Sequence, residues 1–228
     1  DGASLAFVAG GKLKRIDLAG GVPTTLCDAT LGRGVTWSDD GIILFSTPGT
    51  EIQRISASGG TPSAVTKLNR DAGETMHYYP QFLPDGRRFL YLARYGDPEK
   101  NEIRIGSLDG KAAIRVLQTP YMVAFNAGSG RLLYIQGNGT LMARRMELDP
   151  PQVTGDPVVV VEGVAVSPSD RFANFSVSSN GTLFYGRETE ARKERFVWRD
   201  RRGKVLDAVG KAVETPGTLQ ISPDERRV

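Results

Sequence analysis

The stretch "SDDGIILFS", Ser38–Ser46, places a tight-turn pair directly before an apolar run, and variants of it recur along the chain. The recurring pairs are Asp1-Gly2, Asp40-Gly41, Asp85-Gly86, Ser129-Gly130, Asn180-Gly181 and, in degraded form, Asp224-Glu225. Successive pairs are 39 to 51 residues apart. Because Asp-Gly and Asn-Gly take positive φ at both turn positions at little cost, each pair predicts a hairpin between two antiparallel strands.

A second set of turns follows the first at an offset of 18 to 24 residues, at Gly20-Gly21, Gly59-Gly60, Asp109-Gly110 and Arg202-Gly203. Each of these turns also has a strand-like run on both sides, so every period contains four short strands. A period of about 40 to 50 residues with four strands is typical of a β-propeller blade. A β-sandwich is the alternative, but it gives no reason for two kinds of turn to alternate in a fixed order.

The sequence therefore predicts an all-β protein, a single β-propeller domain over residues 1–228 with about five blades of four antiparallel strands. The approximate blades are 1–34 (partial), 35–77, 78–120, 121–171 and 172–217, with 218–228 as the start of the next. The chain opens on a turn and closes on the first residue of a strand. This predicts a fragment of a longer propeller, with closure as a five-bladed ring as the alternative.

The composition is that of an ordinary globular surface, with 39% hydrophobic residues, 24% charged residues and a net charge of +3. We predict no nucleic-acid partner from this balance. No apolar run approaches the ~18 residues that a membrane-spanning helix needs, and the N-terminus lacks the features of a signal peptide. With Cys27 as the one cysteine, we predict no internal disulfide, no metal site and no cofactor.

The densest charged stretch is "ARKERFVWRDRRGK", residues 191–204, which mixes seven basic residues with Phe196 and Trp198. Basic side chains next to aromatic ones can bind phosphates and stack on bases. On a strand, however, Phe196 and Trp198 share one face and Arg195 and Arg199 the other. We therefore interpret this stretch as the solvated rim of a blade.

No catalytic motif is present. The sequence lacks the phosphate-binding glycine loops, the protein-kinase catalytic set and the G-x-S-x-G nucleophile elbow, and it contains one histidine. We therefore predict no catalytic residues and no enzymatic activity for this segment.

The candidate binding residues lie just before or at the start of the predicted innermost strands of three blades. They are Arg33 in "GRGVTW", His77, Tyr78 and Tyr79 in "MHYYPQF", and Tyr121 in "TPYMVAF". In a propeller these points meet near the mouth of the central channel, where a small ligand would bind. A packing role for His77 and its neighbours is the alternative.

The phrases "TWSDDGIILFS", "QFLPDGRRFLYLARY", "KLKRIDLAGGVPTTLCDA", "ISASGGTPSAVTKLN" and "ISPDERRV" resemble blades of TolB-like, WD-repeat-like propellers. More closely, they resemble the propeller region that follows the kinase domain in membrane-anchored bacterial serine/threonine protein kinases of the acidobacterial type. The blade turns of this chain depart from the usual Ser-Pro-Asp-Gly, most of all at "SPDE".

The resemblance implies an extracytoplasmic binding or sensing module, periplasmic or at the cell surface. Its partner would be an unknown protein, peptide or carbohydrate, and other parts of the parent chain would provide any membrane contact. Two alternatives remain, a gating propeller of a prolyl-oligopeptidase-type serine peptidase and a stand-alone TolB-like periplasmic scaffold.

Overall fold

Antiparallel strands form almost all the regular structure of the computed structural model, which describes residues 3–187, 194–199 and 204–213. Within those residues the one helix is the short 3₁₀ turn Pro98–Lys100. This helix is not long and apolar enough to cross a membrane. The all-β prediction is confirmed.

The first two sheets follow the predicted turn order. Strands β1 (Ser4–Ala9), β2 (Lys12–Asp17) and β3 (Thr24–Asp28) form a three-stranded sheet. Strands β4 (Val35–Trp37), β5 (Ile42–Phe45), β6 (Gln53–Ser56) and β7 (Ser63–Ala64) form a four-stranded one. The "SDDG" segment is the β4–β5 turn, in which Gly41 takes φ 75 and donates its N–H to the Ser38 carbonyl at 3.0 Å.

The next two sheets also have four strands in sequence order. The third contains β8 (Glu74–Phe82), β9 (Arg88–Tyr95), β10 (Glu102–Ser107) and β11 (Ile114–Gln118). The fourth contains β12 (Val123–Asn126), β13 (Arg131–Gln136), β14 (Thr140–Leu148) and β15 (Pro151–Val161). Four consecutive antiparallel strands per sheet is the predicted blade.

The chain then forms three two-stranded sheets. They are β16 (Val166–Ser167) with β17 (Phe172–Ala173), β18 (Phe175–Val177) with β19 (Leu183–Tyr185), and β20 (Glu194–Arg199) with β21 (Val205–Val213). The sequence did not predict the β16–β17 hairpin.

Residues 1–186 and 187–228 are two separate compact units, and β1–β19 belong to the first. The single-domain prediction for 1–228 stays a prediction.

In the basic stretch, the structure describes the backbone of β20 but not the basic and aromatic side chains on it. The predicted turns at Asp1-Gly2, Arg202-Gly203 and Asp224-Glu225 lie outside the described residues.

Sheets of the first unit pack face to face, and this packing forms the core. Strand β9 is buried on both faces because Phe89 and Tyr91 join a cluster with Leu44 of β5, whereas Leu90 and Leu92 join a cluster with residues of β12–β14. Burial of successive residues on a strand indicates a sheet covered on both sides. The third sheet therefore lies between the second and the fourth, as a blade lies between its neighbours.

Candidate ligand-binding cavity

A cavity of about 490 Å³ opens where the first strands of several sheets come together in the first unit. We call it the central cavity. Strands β4, β8, β12 and β18 and the β16–β17 hairpin all contribute to its wall; representative residues are Val35, Gln81, Val123, Phe172 and Phe175. Its volume falls in the range of small-molecule sites, about 300 to 1,000 Å³.

Tyr79 enters the central cavity on a bulge of β8. The pairing of β8 with β9 shifts register between Tyr78 and Gln81, and Tyr79 takes φ 54. This left-handed conformation is uncommon for a residue other than glycine, and the following Pro80 further disfavours a helical conformation. The bulge places the Tyr79 phenol where it donates a hydrogen bond to the Asp170 carbonyl at 2.8 Å. Burial raises the pKa of Tyr79 to about 12, so the phenol is protonated at neutral pH.

Gly34 allows β4 to approach this bulge. Gly34 has φ +99, and a Cβ built on it would lie 2.7 Å from the Tyr79 Cα. The Tyr79 N–H also donates to the Arg33 carbonyl at 2.8 Å. The "GRG" sequence therefore joins the second and third sheets backbone to backbone at the cavity.

Arg33 and Asp170 form an ion pair at the wall, with 2.7 Å between Arg33 Nη2 and Asp170 Oδ1. Both side chains are partly exposed, 25% for Arg33 and 41% for Asp170. The Arg33 Nε is buried and has no hydrogen-bond partner among the residues described. The guanidinium therefore keeps unused donor capacity beside the cavity.

The β16–β17 hairpin is held against the cavity by contacts to three other segments. Besides the Arg33 and Tyr79 contacts to Asp170, the ring of Phe172 lies 5.9 Å from that of Tyr79, and the Met122 N–H donates to the Arg171 carbonyl at 3.0 Å.

The central cavity combines a phenol, an ion pair, the Gln81 amide and apolar side chains. This set suits a small ligand with both polar and apolar parts. In the described part of the chain, no three His, Cys, Asp or Glu side chains meet in a possible metal site.

The structure brings two of the five candidate residues, Arg33 and Tyr79, together at the central cavity. Tyr78 is buried in the core between the third and fourth sheets. Tyr121 lines a different, neighbouring cavity. His77 is fully buried and lines neither cavity.

His77 belongs to a buried polar network in the third sheet. Its Nδ1 lies 2.8 Å from Thr66 Oγ1 and its Nε2 lies 3.2 Å from Glu74 Oε2. Thr66 Oγ1 also accepts the Ile52 N–H, and Glu74 pairs with Arg104 at 2.6 Å. Burial lowers the pKa of His77, so the imidazole is neutral at pH 7. This environment favours the packing alternative for His77.

Sequence reasoning missed Asp170, Phe172 and Gln81. Asp170 pairs with a residue 137 positions away, and its local sequence "SPSDRFA" resembles an ordinary turn. Gln81 sits in a strand-like run, where an amide predicts nothing by itself. The sequence did carry a signal for Tyr79 and Arg33, which lie at or just before predicted innermost strands.

Comparison with known proteins places this geometry in a fold class. No protein-family model matches the sequence, and no curated protein matches it. Similar solved structures include regucalcin, a calcium-binding protein from Agrobacterium tumefaciens, with 12% identity, TM-score 0.60, and coverage of 91% of this chain and 70% of that one. TolB from Acinetobacter baumannii has 16% identity and TM-score 0.56, with 88% of this chain covering 49% of that one. A gluconolactonase from Xanthomonas campestris has 17% identity and TM-score 0.54, with 88% of this chain and 72% of that one covered.

These likenesses confirm the β-propeller fold, and this chain spans about half the length of TolB. They also correct one prediction. The absence of catalytic motifs predicted no enzymatic activity, and that inference is wrong because a gluconolactonase has a similar fold. A propeller gathers single residues from many separate strands, so an active site on it needs no contiguous motif.

Proposed function

We propose that this chain is a ligand-binding propeller whose central cavity holds a small ligand with polar and apolar parts. The observation that carries the proposal is Tyr79, a non-glycine residue in left-handed conformation whose phenol reaches the cavity beside the Arg33–Asp170 ion pair. Such a conformation costs on the order of 1 to 3 kcal/mol and is typical of binding sites. Bulges also recur next to functional sites, where they redirect a side chain.

We further propose that the module is the extracytoplasmic sensing region of a bacterial receptor-type serine/threonine protein kinase. The support is the resemblance of its blade phrases to the propeller region of such kinases. The ligand would then be a peptide, carbohydrate or protein segment outside the membrane, and the rest of the parent chain would provide the membrane anchor. A kinase domain followed by a membrane helix upstream in the parent gene is the expected arrangement. A hydrolase domain in the parent gene would favour the peptidase alternative, and a signal peptide alone would favour the TolB-like scaffold.

The experiment that tests binding is thermal unfolding of the chain with a panel of peptides, cell-wall fragments and sugars. A ligand that binds the folded state alone raises the melting temperature. We expect Tyr79→Phe and Arg33→Gln to weaken the shift, whereas Tyr78→Phe, which removes the same atom from a buried neighbour outside the cavity, leaves it unchanged. Equal effects of Tyr78→Phe and Tyr79→Phe would contradict the central cavity as the site. Absence of any shift across the panel would contradict small-ligand binding.

A further inference from the structure

A second cavity, of about 660 Å³, lies in the first unit and is lined by turns of the third and fourth sheets. We call it the Arg171 cavity. Its wall comes from the β9–β10 turn at Glu99, the β11–β12 connection at Gln118, the β13–β14 turn at Gln136 and Asn138, and Arg171 of the β16–β17 turn. Asp170 faces the central cavity, so this one turn contributes neighbouring residues to two cavities.

Arg171 is held in an unusual state. Its backbone takes φ 60, and its carbonyl accepts the Met122 N–H at 3.0 Å. Its Nε is buried without a hydrogen-bond partner among the described residues, and no described carboxylate forms an ion pair with its guanidinium. Leaving a buried donor unpaired destabilises the folded state, and each such group in a native protein calls for an explanation.

A bound oxyanion would give the outer nitrogens of this guanidinium an ionic partner. A guanidinium presents a fixed fork of donors that matches a carboxylate or phosphate in two parallel hydrogen bonds. Arg171 shares the wall with Gln118, Gln136 and Asn138, whose amides both donate and accept hydrogen bonds. Glu99 is the other charged residue of the wall; it is exposed and can accept hydrogen bonds from hydroxyl groups. A ligand that satisfies both charged residues therefore carries one anionic group and several hydroxyls.

We propose that the Arg171 cavity binds a hydroxyl-rich carboxylic acid of sugar size, such as a uronic acid unit. The carboxylate would pair with Arg171, and the hydroxyls would reach the amides and Glu99. This site is separate from the central cavity, because none of the four residues Arg33, Tyr79, Gln81 and Asp170 lines it.

The test compares matched probes by isothermal titration calorimetry and saturation-transfer NMR on the intact chain. Glucuronate and glucose differ only at C6, which is a carboxylate in the first and a hydroxymethyl group in the second, and glucose 6-phosphate carries a phosphate at the same carbon. Because hydrogen bonds to a charged group are stronger than those between neutral groups, we expect glucuronate to bind at least about tenfold more tightly than glucose. Arg171→Gln should abolish that preference, and Arg171→Lys should reduce it.

The control is Arg131→Gln, which removes the same charge from an exposed position on β13 away from the cavity. It should leave glucuronate binding unchanged. Equal binding of glucose and glucuronate to the unaltered chain would overturn the proposal, as would unchanged glucuronate binding in a folded Arg171→Gln variant. Binding of glucose 6-phosphate without glucuronate would overturn the assignment of a carboxylate. If Arg171→Gln does not fold, Arg171→Lys and the comparison of the two sugars decide.

Discussion

At the scale of single residues, the wall of the central cavity depends on the absence of one side chain. Gly34 combines a positive φ with a backbone contact to Tyr79, and the atom that a Cβ would meet is a Cα rather than the end of a flexible side chain. An added Cβ at Gly34 and the Tyr79 Cα could separate only if the backbone of β4 or β8 moved. The site thus requires glycine at this position for space as well as for conformation.

We expect Gly34→Ala to destabilise the fold by about 2 to 3 kcal/mol, since it adds a backbone clash to an unfavourable φ. The matched control is Gly41→Ala. Gly41 has φ +75, but a Cβ added there would meet nothing within 4 Å, so only the conformational cost remains. Urea unfolding measures both. Equal losses of unfolding free energy would show that the approach of Gly34 to Tyr79 does not constrain the cavity.

The sequence predicted the site residues that carry a local signal, but not the contacts between residues distant in the chain. Tyr79 could be expected at the channel because it lies at the start of an innermost strand, a local property. Arg33 was predicted too, but its ion pair with Asp170 was not, because the two residues are 137 positions apart. His77 is the opposite case, because the sequence left a packing role and a binding role open, and the contacts with Thr66 and Glu74 that favour packing are not visible in the local sequence.

At the scale of elements, neighbouring sheets are joined by side chains that bond to the backbone of the next sheet. Gln81 of β8 accepts the Phe125 N–H at 2.8 Å and donates to the Phe125 carbonyl at 3.1 Å, so its amide completes the hydrogen bonding of β12. Thr36 of β4 similarly accepts the Phe82 N–H at 3.2 Å. Because backbone groups that face another sheet must still be paired, such contacts fix the spacing of the strands around the central cavity.

We expect Gln81→Leu to lower the free energy of unfolding by about 1 to 3 kcal/mol, because it leaves both Phe125 backbone groups unpaired. Amide exchange at Phe125 should accelerate, and urea unfolding gives the loss of stability. Gln152→Leu is the control, since Gln152 is exposed on β15 and bonds to the Glu147 side chain alone. If Phe125 exchange were equally slow in both variants, Gln81 would not join the two sheets.

The elements themselves were predictable where their turns are local. Asp-Gly at residues 40–41 and 85–86 predicted the β4–β5 and β8–β9 hairpins, and both hairpins are present. The turns differ from the predicted two-residue form, because positive φ occurs at Gly41 and Gly86 but not at the preceding aspartates. The β16–β17 hairpin was not predictable, since strands of two residues are too short to show alternation. It is stabilised by contacts from Arg33, Tyr79 and Met122, which are distant in sequence.

At the scale of the whole molecule, low pH reduces stability through carboxyl groups whose pKa is lower in the folded state than in the unfolded chain. Burial would raise the pKa of Glu74, but the Asn69 N–H, Arg104 and His77 together hold it below its usual value. The Ser107 and Lys111 side chains lower the pKa of Asp109 to about 2. A lowered carboxyl pKa contributes stability above the unfolded-state value of about 4 and loses it as the pH falls through the folded value. Protonation of Glu74 and Asp109 therefore lowers the free energy of unfolding below about pH 4.

His77 acts in a separate range, and it is the protein's one histidine. Burial is the largest influence that lowers its pKa, and the neighbouring Glu74 opposes this in part. Because the unfolded chain then binds the proton more readily, the contribution of His77 to stability is complete above the unfolded pKa of about 6.5 and declines as the pH falls below it. A proton on Nδ1 would also face Thr66 Oγ1, which already accepts the Ile52 N–H.

We therefore expect the free energy of unfolding to fall between about pH 7 and pH 5, and His77→Gln to remove most of that slope. Glutamine keeps a donor that can reach Glu74 but does not titrate. Urea unfolding of both proteins at about pH 7, 6 and 5 measures the two slopes. The same slope in both would mean that another group takes up the proton. Because the readout is the change with pH, it holds even if the loss of the imidazole contact with Tyr91, 4.7 Å between rings, lowers stability at every pH.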